Sequence, residues 1–270
     1  MVVGVDGSLV SVRALDHAAD EAARRGCPLR VVYAVPDRDE AAPVLASSVS
    51  RVADRRPALA VETVAAEGGA ARALADASGS AALTVVGTRG LGGLGGLLFG
   101  SVSLRVAAHA HGPLLVVRGD HADGGGDVLL HLPDDADAAV ADYAFAEARR
   151  RGARLRVLHT PAHRHVLPEL PSLVPATSPG QERLARRERA DEAVPRFGLA
   201  ALRDLHPQVE VVTDTVRTGP AHALLEATRD AAVVVIGVRR TDGRPGPRPG
   251  AVGPTLLHRS HCPVVVVPAG

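Results

Sequence analysis

Short apolar runs alternate with longer amphipathic stretches along the first 118 residues of the chain. Apolar runs predict strands at Val2–Val5, Leu29–Val35, Leu59–Val64, Leu83–Val86 and Leu114–Val117, and continuous aliphatic runs such as LTVV are typical of strands that are buried on both faces. Apolar residues at helical spacing predict helices between them, at Ser11–Arg25, 41–56, Ala70–Ala77 and Ser101–Ala108. Strands that alternate with helices indicate a doubly wound α/β domain, in which a parallel sheet has helices on both faces.

The pattern occurs twice. DHAADEAARRGCPLRVV (16–32) aligns with DYAFAEARRRGARLRVL (142–158) at an offset of 126, and HGPLLVVR (111–118) aligns with HCPVVVVP (261–268) at an offset of 150. The two offsets differ by 24 residues, which we assign to an insertion near the proline-rich stretch 160–180. Residues 119–127 are polar and glycine-rich, as in a flexible linker. We therefore expect a tandem duplication with domains at 1–119 and 127–270.

Composition restricts the classes of function. Aromatic residues make up only 2% of the chain, so a planar ligand would be held by aliphatic side chains and backbone. A net charge of +1 argues against a nucleic-acid partner, which requires a basic face. Cys27 and Cys262 are too few for a disulfide framework and suit a reducing cytoplasm. The chain opens on a strand pattern without a basic leader, and no apolar run approaches the roughly eighteen residues of a membrane-spanning helix. We expect a cytoplasmic protein with no membrane partner.

Glycines are concentrated in GTRGLGGLGGLLFGS, residues 87–101, directly after the predicted fourth strand. Ligands of open parallel sheets bind beyond the carboxyl ends of the strands, where the strand order reverses. Glycine N–H groups and the start of the helix near Ser101 could together bind phosphate. A P-loop is excluded because the chain has no lysine. The G-x-G-x-x-G match at Gly90, Gly92 and Gly95 follows the fourth strand instead of the first, which argues against a dinucleotide motif.

The spacing of Gly87, two residues, Gly90, nine residues, Gly100 and Ser101 is more specific. Together with VVGVDGS at the first strand and HGPLLVV at the last, it resembles the universal stress protein family, and its ATP-binding branch in particular. The resemblance extends over nearly the whole chain as two domains in tandem. It implies an ATP-binding protein without catalytic residues, and it leaves open whether Mg²⁺ accompanies the nucleotide.

The resemblance also implies a role for each matching residue of the first domain. Asp6, on the loop with Gly7 and Ser8, would contact the adenosine part, and Val35 would lie near the adenine. Gly87 and Gly90 would let the backbone approach the ribose and phosphates. The phosphates would accept hydrogen bonds from the N–H groups of Gly100, Ser101 and Val102 and from the Ser101 hydroxyl. Ser103 or Arg89 would be further phosphate contacts.

A simpler interpretation of two of these features stays open. Asp6, Gly7 and Ser8 could form only a turn and a helix cap, and Ser101 could be an ordinary helix N-cap.

The second copy keeps the loop length but loses the chemistry. At the offset of 150, Gly87 and Gly100 map to Gly237 and Gly250, whereas Gly90 and Ser101 become Arg240 and Ala251. Pro245, Pro247 and Pro249 supply no N–H group. At the first strand, VDGS (5–8) aligns with HLPD (131–134), so that Asp6 corresponds to Leu132 unless a small gap brings Asp134 near. We expect the second domain to be kept for packing and not for ATP.

By the same resemblance, Leu114–Val117 would pair with Val264–Val267 inside one chain and cover edges that would otherwise aggregate. Such a chain is an intrachain pseudo-dimer, and whether two chains pair again as a homodimer is open. His159, His163 and His165 have no cysteine or carboxylate cluster beside them, so we assign no metal site.

Three functions are compatible with these observations. The first is a stress-response protein that binds ATP, and the second is a nucleotide-independent adaptor or scaffold. The third is a weak ATPase or adenylyl transferase, for which the sequence identifies no base or nucleophile.

Overall fold

The computed structural model describes residues 1–35, 38–88, 101–118, 125–133, 138–160, 199–216, 219–239, 248–249 and 252–269. Of the predicted linker (119–127), only residues 125–127 lie within these ranges. Of the predicted insertion (160–180), only residue 160 does.

The first half of the chain alternates strands and helices in the predicted order. Its elements are β1 (Val2–Val5), α1 (Leu9–Arg25), β2 (Leu29–Val35), a 3-10 turn (Arg38–Ala41), α2 (Ala42–Arg55), β3 (Val61–Glu67), α3 (Ala70–Ser78), β4 (Thr84–Gly87), α4 (Ser101–His109) and β5 (Leu114–Val117).

The described part of the second half repeats this alternation. Its elements are β6 (Asp127–Pro133), α5 (Ala138–Arg151), β7 (Leu155–Thr160), α6 (Ala200–Leu205), β8 (Val211–Thr215), α7 (Pro220–Ala227), β9 (Ala231–Arg239), β10 (Arg248–Pro249), α8 (Gly253–Arg259) and β11 (Val264–Ala269).

Local hydrogen bonds explain where two predicted boundaries shift. Helix α1 begins before the predicted Ser11 because the side chain of Ser8 caps it, and it ends at Gly26, which has a left-handed φ of 59°. Strand β3 begins after the predicted Leu59 because the N–H of Leu59 donates to the carbonyl of Arg56 in a turn. Pairing of β3 with β2 starts at Val61 and continues to Glu67.

The strands form one continuous sheet in the order β3-β2-β1-β4-β5-β11-β9-β6-β7-β8, with β10 antiparallel to β9. Apart from β10, the paired strands of each half are parallel. Strands β5 and β11 are antiparallel, and Leu115 lies opposite Val265. We call this junction the seam. The predicted pairing inside one chain is confirmed, and the two halves are related by a pseudo-twofold axis through the seam.

Two apolar cores lie on the two faces of the sheet, and each contains residues of both halves. Helices α1, α2, α5 and α6 cover one core, which includes Leu15 and Phe145. Helices α3, α4, α7 and α8 cover the other, which includes Leu74 and Leu224. The doubly wound, tandem α/β fold predicted from the sequence is therefore confirmed. No helix within the described ranges is long and apolar enough to span a bilayer.

Candidate functional site

The strand order of the first half reverses at β1, which lies between β2 and β4. Val5 pairs with Tyr33 of β2, and Val3 pairs with Val85 of β4. In this register Asp6 is level with Thr88, so the first residues after β1 and β4 lie at neighbouring positions of the same edge. Crevices at such reversals are the usual ligand sites of open parallel sheets.

Asp6 is held by the first turn of α1. Its Oδ1 atom accepts hydrogen bonds from the backbone N–H of Ser8 (3.0 Å) and from the Ser8 hydroxyl (2.6 Å). The Ser8 Oγ atom accepts in turn from the N–H of Ser11 (3.2 Å) and caps the helix. The turn-and-cap interpretation of Asp6 and Ser8 is therefore confirmed. It fixes the Asp6 carboxylate at this edge of the sheet and is compatible with a second role in binding.

Gly7 has a φ of +80°, a left-handed conformation that side chains rarely adopt. A Cβ atom at this position would lie 3.6 Å from Cγ2 of Val44 in α2. The conformation, more than the available space, accounts for glycine at this position.

Gly87 ends β4 beside the N-terminal turn of α1. A Cβ atom built on Gly87 would lie 2.7 Å from Cγ1 and 3.1 Å from the carbonyl oxygen of Val10. The next residue, Thr88, is buried, and its N–H donates to the carbonyl of Val117 (3.0 Å). Close packing of α1 on β4 is therefore one reason for glycine at position 87.

Helix α4 contributes its N-terminus to the same edge. Its C-terminal end lies at the opposite edge, where Gly112 approaches the carbonyl oxygens of Ser78 and Ala81. In the first turn of α4, Val102 is 36% exposed whereas Ser103 is only 1% exposed. Val102 is therefore the more accessible of these two predicted site residues. Arg89, Gly90, Gly100 and the side chain of Ser101 lie outside the described residues.

The structure thus brings Asp6, Gly7, Ser8 and Gly87 to one edge of the sheet, and the buried Val35 ends the neighbouring strand β2 at that edge. The sequence prediction missed the buried Ser11, whose hydroxyl donates to the carbonyl of Ser8 (2.9 Å) and accepts from the N–H of Asp6 (3.3 Å). Its position three residues after the cap was the available signal.

The corresponding edge of the second half differs in chemistry. In the first half, Val2 of β1 pairs with Arg30 and Thr84. The repeat equivalents of these two partners are Arg156 and Val234, and both pair with Leu129 of β6. This register sets β6 at an offset of 127 from β1, one residue away from the predicted offset.

The predicted match of Asp6 with Leu132 is therefore wrong, because the second half is one residue shorter between its first two strands. Pro133 takes the place of Asp6, and His131 takes the place of Gly4. The second half therefore has no carboxylate at the position of Asp6. Arg240 and Ala251 of the second-half loop lie outside the described residues.

His131 is held in its neutral form at neutral pH. Burial and, to a smaller extent, the nearby His159 together lower the pKa of His131 to about 4. The first half has no equivalent titrating group in β1, because Gly4 stands at this position.

Comparison with known proteins identifies the family. The profile of the Universal stress protein family matches residues 1–118 and again residues 128–268. The chain belongs to the universal stress protein family. A universal stress protein of Mycolicibacterium smegmatis is 32% identical over 292 residues, which cover 99% of this chain and 96% of the relative. One from Mycobacterium tuberculosis is 31% identical over 306 residues, covering 98% of this chain and 94% of the relative.

Solved structures share the fold of this universal stress protein. One from Archaeoglobus fulgidus aligns with 100% of this chain and 98% of its own, with a TM-score of 0.68 and 18% identity. The predicted family and its tandem arrangement are therefore confirmed.

Proposed function

We propose that the first half of this universal stress protein binds an adenine nucleotide, specifically ATP, at the edge where β1 and β4 end. The observation that carries the proposal is the convergence of the Asp6 turn, Val35 and Gly87 at the reversal of strand order. The glycine spacing from Gly87 to Ser101 supports it independently. The second half serves as the pairing partner of the first.

Each residue has a separate task in the proposed complex. Val35 packs against the adenine, and the Asp6 carboxylate, oriented by Ser8, accepts from the adenosine part. Gly87 and Gly90 allow the backbone to approach the ribose and phosphates. N–H groups of Gly100, Ser101 and Val102 donate to phosphate oxygens, where the dipole of α4 favours negative charge. Arg89 and the hydroxyls of Ser101 and Ser103 are the further candidate phosphate contacts.

The chemistry of the second half supports the restriction to one site. Pro133 provides no carboxylate at the position of Asp6, and arginine replaces the second glycine of the spacing at Arg240. A ligand that depends on these groups therefore binds only in the first half.

Calorimetric titration of the full chain tests the proposal with a matched pair of variants. Gly100→Arg is expected to abolish ATP binding because the arginine side chain blocks the backbone approach to the phosphates. Gly250→Arg, the equivalent change in the second half, is expected to leave the affinity unchanged. Parallel titrations with cAMP and dAMP cover two ligands with which universal stress proteins have been solved. Equal ATP affinity in both variants, or loss only in Gly250→Arg, would contradict the proposal.

A second pair of variants separates the binding role of Asp6 from its structural role. Asp6→Asn keeps an oxygen acceptor for Ser8, so the thermal midpoint should change little while ATP affinity falls. Asp6→Ala removes the acceptor. It should lower the free energy of unfolding by about 1 kcal/mol, and with it the thermal midpoint, and it should also lower the ATP affinity. Unchanged affinity in Asp6→Asn would show that the carboxylate serves only the turn.

The second candidate is an adaptor function that does not involve a nucleotide. It is favoured because the second half has Pro133 at the position of Asp6 and His131 at the position of Gly4. It predicts that Gly100→Arg retains pairing of the halves and cellular protection under stress. The ATP-binding proposal assigns no catalytic residue. Steady turnover of ATP above roughly one per second, an ordinary enzyme rate, would require an enzymatic function instead.

The proposal includes a cytoplasmic location, which the state of the two cysteines supports. Cys27 and Cys262 are both free thiols. Burial raises the pKa of the Cys262 thiol to about 11, although hydrogen bonds, including one with Ser260, lower it in part. Fractionation of cells that express the tagged chain tests this location.

A further inference from the structure

Two buried glutamates and two buried arginines meet where α1 and α5 pack across the seam. Glu21 and Arg25 belong to α1, and Glu147 and Arg151 occupy the same positions in α5, at the repeat offset of 126. We call these side chains the four-charge cluster. Their exposed fractions are 2% for Glu21, 1% for Glu147, 8% for Arg25 and 10% for Arg151.

The pairs cross from one half to the other. Nη2 of Arg25 lies 2.6 Å from Oε2 of Glu147, and Arg151 forms the reciprocal pair with Glu21. Each arginine also pairs with the glutamate one turn before it on its own helix, with 2.7 Å between Arg151 Nε and Glu147 Oε1. Within the cluster, each glutamate thus pairs with the arginine of its own helix and with the arginine of the other half.

Three neighbouring side chains make further hydrogen bonds to the cluster. Arg24 donates to Glu21 (2.8 Å), Arg150 donates to Glu147 (2.9 Å), and Arg25 donates to the Tyr143 hydroxyl (3.0 Å). Burial alone would raise the pKa of Glu147, but Arg25, Arg151 and Arg150 together lower it below its ordinary value. The glutamate is therefore ionised at neutral pH.

Buried ion pairs add little net stability, but a mismatched partner is strongly disfavoured. Desolvation offsets much of their attraction, whereas an unpaired or like-charged group in the same place is strongly unfavourable. We infer that the four-charge cluster is the recognition element that restricts pairing at the seam to halves that carry this glutamate–arginine pair. The backbone hydrogen bonds of the seam cannot supply this selection, because they are indifferent to side-chain identity.

The cluster also defines which partner fits. Both helices carry glutamate followed four residues later by arginine, so either half is complementary to the other and also to a second copy of itself. The partner is therefore a half of this chain that presents this pair on its first helix. The short connection between the halves raises their effective concentration and selects the intrachain pairing in the native protein.

Charge reversal in one half tests the inference on the full chain. In Glu21→Arg/Arg25→Glu, the crossed pairs within one chain become arginine against arginine and glutamate against glutamate. The altered first half then fits only a second altered first half, and the native second half fits a second native second half. We expect the molar mass from light scattering to rise to at least twice that of the parent chain.

Reversal in both halves is the decisive comparison. Glu21→Arg/Arg25→Glu/Glu147→Arg/Arg151→Glu restores opposite charges in the crossed pairs, and Arg24 and Arg150, which are 25% and 24% exposed, can turn to solvent. We expect this variant to regain the parental mass and the slow amide exchange of Leu115 and Val265 in the seam. This variant decides the question even if the half-reversed chain fails to fold.

A control uses an ion pair within one half. Asp16→Arg places two arginines together at the Asp16–Arg51 pair of α1 and α2, where Arg51 is 49% exposed. It should leave the mass and the seam protection unchanged. The inference is overturned if the half-reversed chain keeps the parental mass and seam protection, or if the fully reversed chain unfolds or remains associated.

Discussion

A single missing side chain at Gly87 lets α1 lie directly on the end of β4. The Cβ of any other residue would overlap the side chain of Val10 and make an unusually close contact with its carbonyl oxygen. At the equivalent Gly237, the close contact is with Cγ2 of Val140 at 2.9 Å, which is side chain only. The first half is therefore the less tolerant of the two, because a backbone atom cannot move aside as a rotamer can.

We expect Gly87→Ala to lower the free energy of unfolding by about 1–3 kcal/mol through overpacking, and by more than Gly237→Ala does. Urea denaturation of both variants measures the difference. Gly125→Ala, at an exposed glycine with nothing within 4 Å of the added Cβ, is the control and should change stability little. Equal stability of all three variants would show that α1 adjusts freely at position 87.

His131 should make stability depend on pH. The unfolded chain binds a proton at this histidine below its ordinary pKa of 6.5, whereas the folded chain does so only below about 4. Stability is therefore lost as pH falls from about 6.5 towards about 4, by up to about 3 kcal/mol from this group.

Comparison with His131→Gln isolates this effect from the carboxylates, which also titrate in acid. The difference in the free energy of unfolding between the two proteins should change across this pH window and be constant above it. A difference that is independent of pH would mean that His131 titrates alike in the folded and unfolded chain.

At the scale of elements, one hydroxyl in each half joins a helix to the segment that enters the last strand. The Ser78 hydroxyl donates to the carbonyl of Ala75 (2.6 Å) and accepts from the N–H of His111 (2.9 Å). Thr228 makes the same two bonds, to Leu225 (2.6 Å) and from His261 (3.0 Å). His111 and His261, which align in the two repeats, thus each donate a backbone N–H to the equivalent hydroxyl.

Ser78→Ala and Thr228→Val should each lower the free energy of unfolding by about 1–2 kcal/mol, because each leaves a backbone N–H without its acceptor. Ser50→Ala, at an exposed serine of α2, should lie within about 0.5 kcal/mol of the parent. Chemical denaturation monitored by circular dichroism measures all three. A neutral Ser78→Ala would show that water replaces the hydroxyl at His111.

At the scale of the whole molecule, the seam turns two domains into one sheet with shared cores. Each core contains residues from both halves, and α1 contacts α5 directly. A substitution that destabilises one half should therefore also destabilise the other, unlike in proteins whose domains unfold separately.

Phe145→Ala tests this cooperativity. Phe145 is fully buried in the second half, where it stacks on His206 with ring centroids 5.6 Å apart. We expect a loss of about 3–5 kcal/mol and a single unfolding transition. The slowest-exchanging amides of β1 and β6 should lose protection equally in hydrogen exchange. Leu205→Ala, at a leucine that is 66% exposed, is the control. Two transitions, with β1 unaffected, would show that the halves unfold independently.

Local patterns were sufficient for much of this protein. Aliphatic runs of four to seven residues and helical spacing depend on neighbours along the chain, so the elements and their order could be predicted from the sequence. The repeat offsets predicted the duplication, and the resemblance to the family predicted the pairing of Leu114–Val117 with the last strand. The turn at Asp6, Gly7 and Ser8 could also be predicted from the sequence, because its hydrogen bonds join residues at most five positions apart.

Only the tertiary structure decided what depends on distant residues. The register that puts Pro133 in the place of Asp6 comes from pairing of β6 with β7 and β9, and a one-residue deletion leaves the hydrophobic pattern intact. The contact of Gly87 with Val10 spans most of the first half. The four-charge cluster looks, along the sequence, like two solvated helix faces. It becomes a buried network only because the seam brings α1 and α5 together, and neither helix carries that information alone.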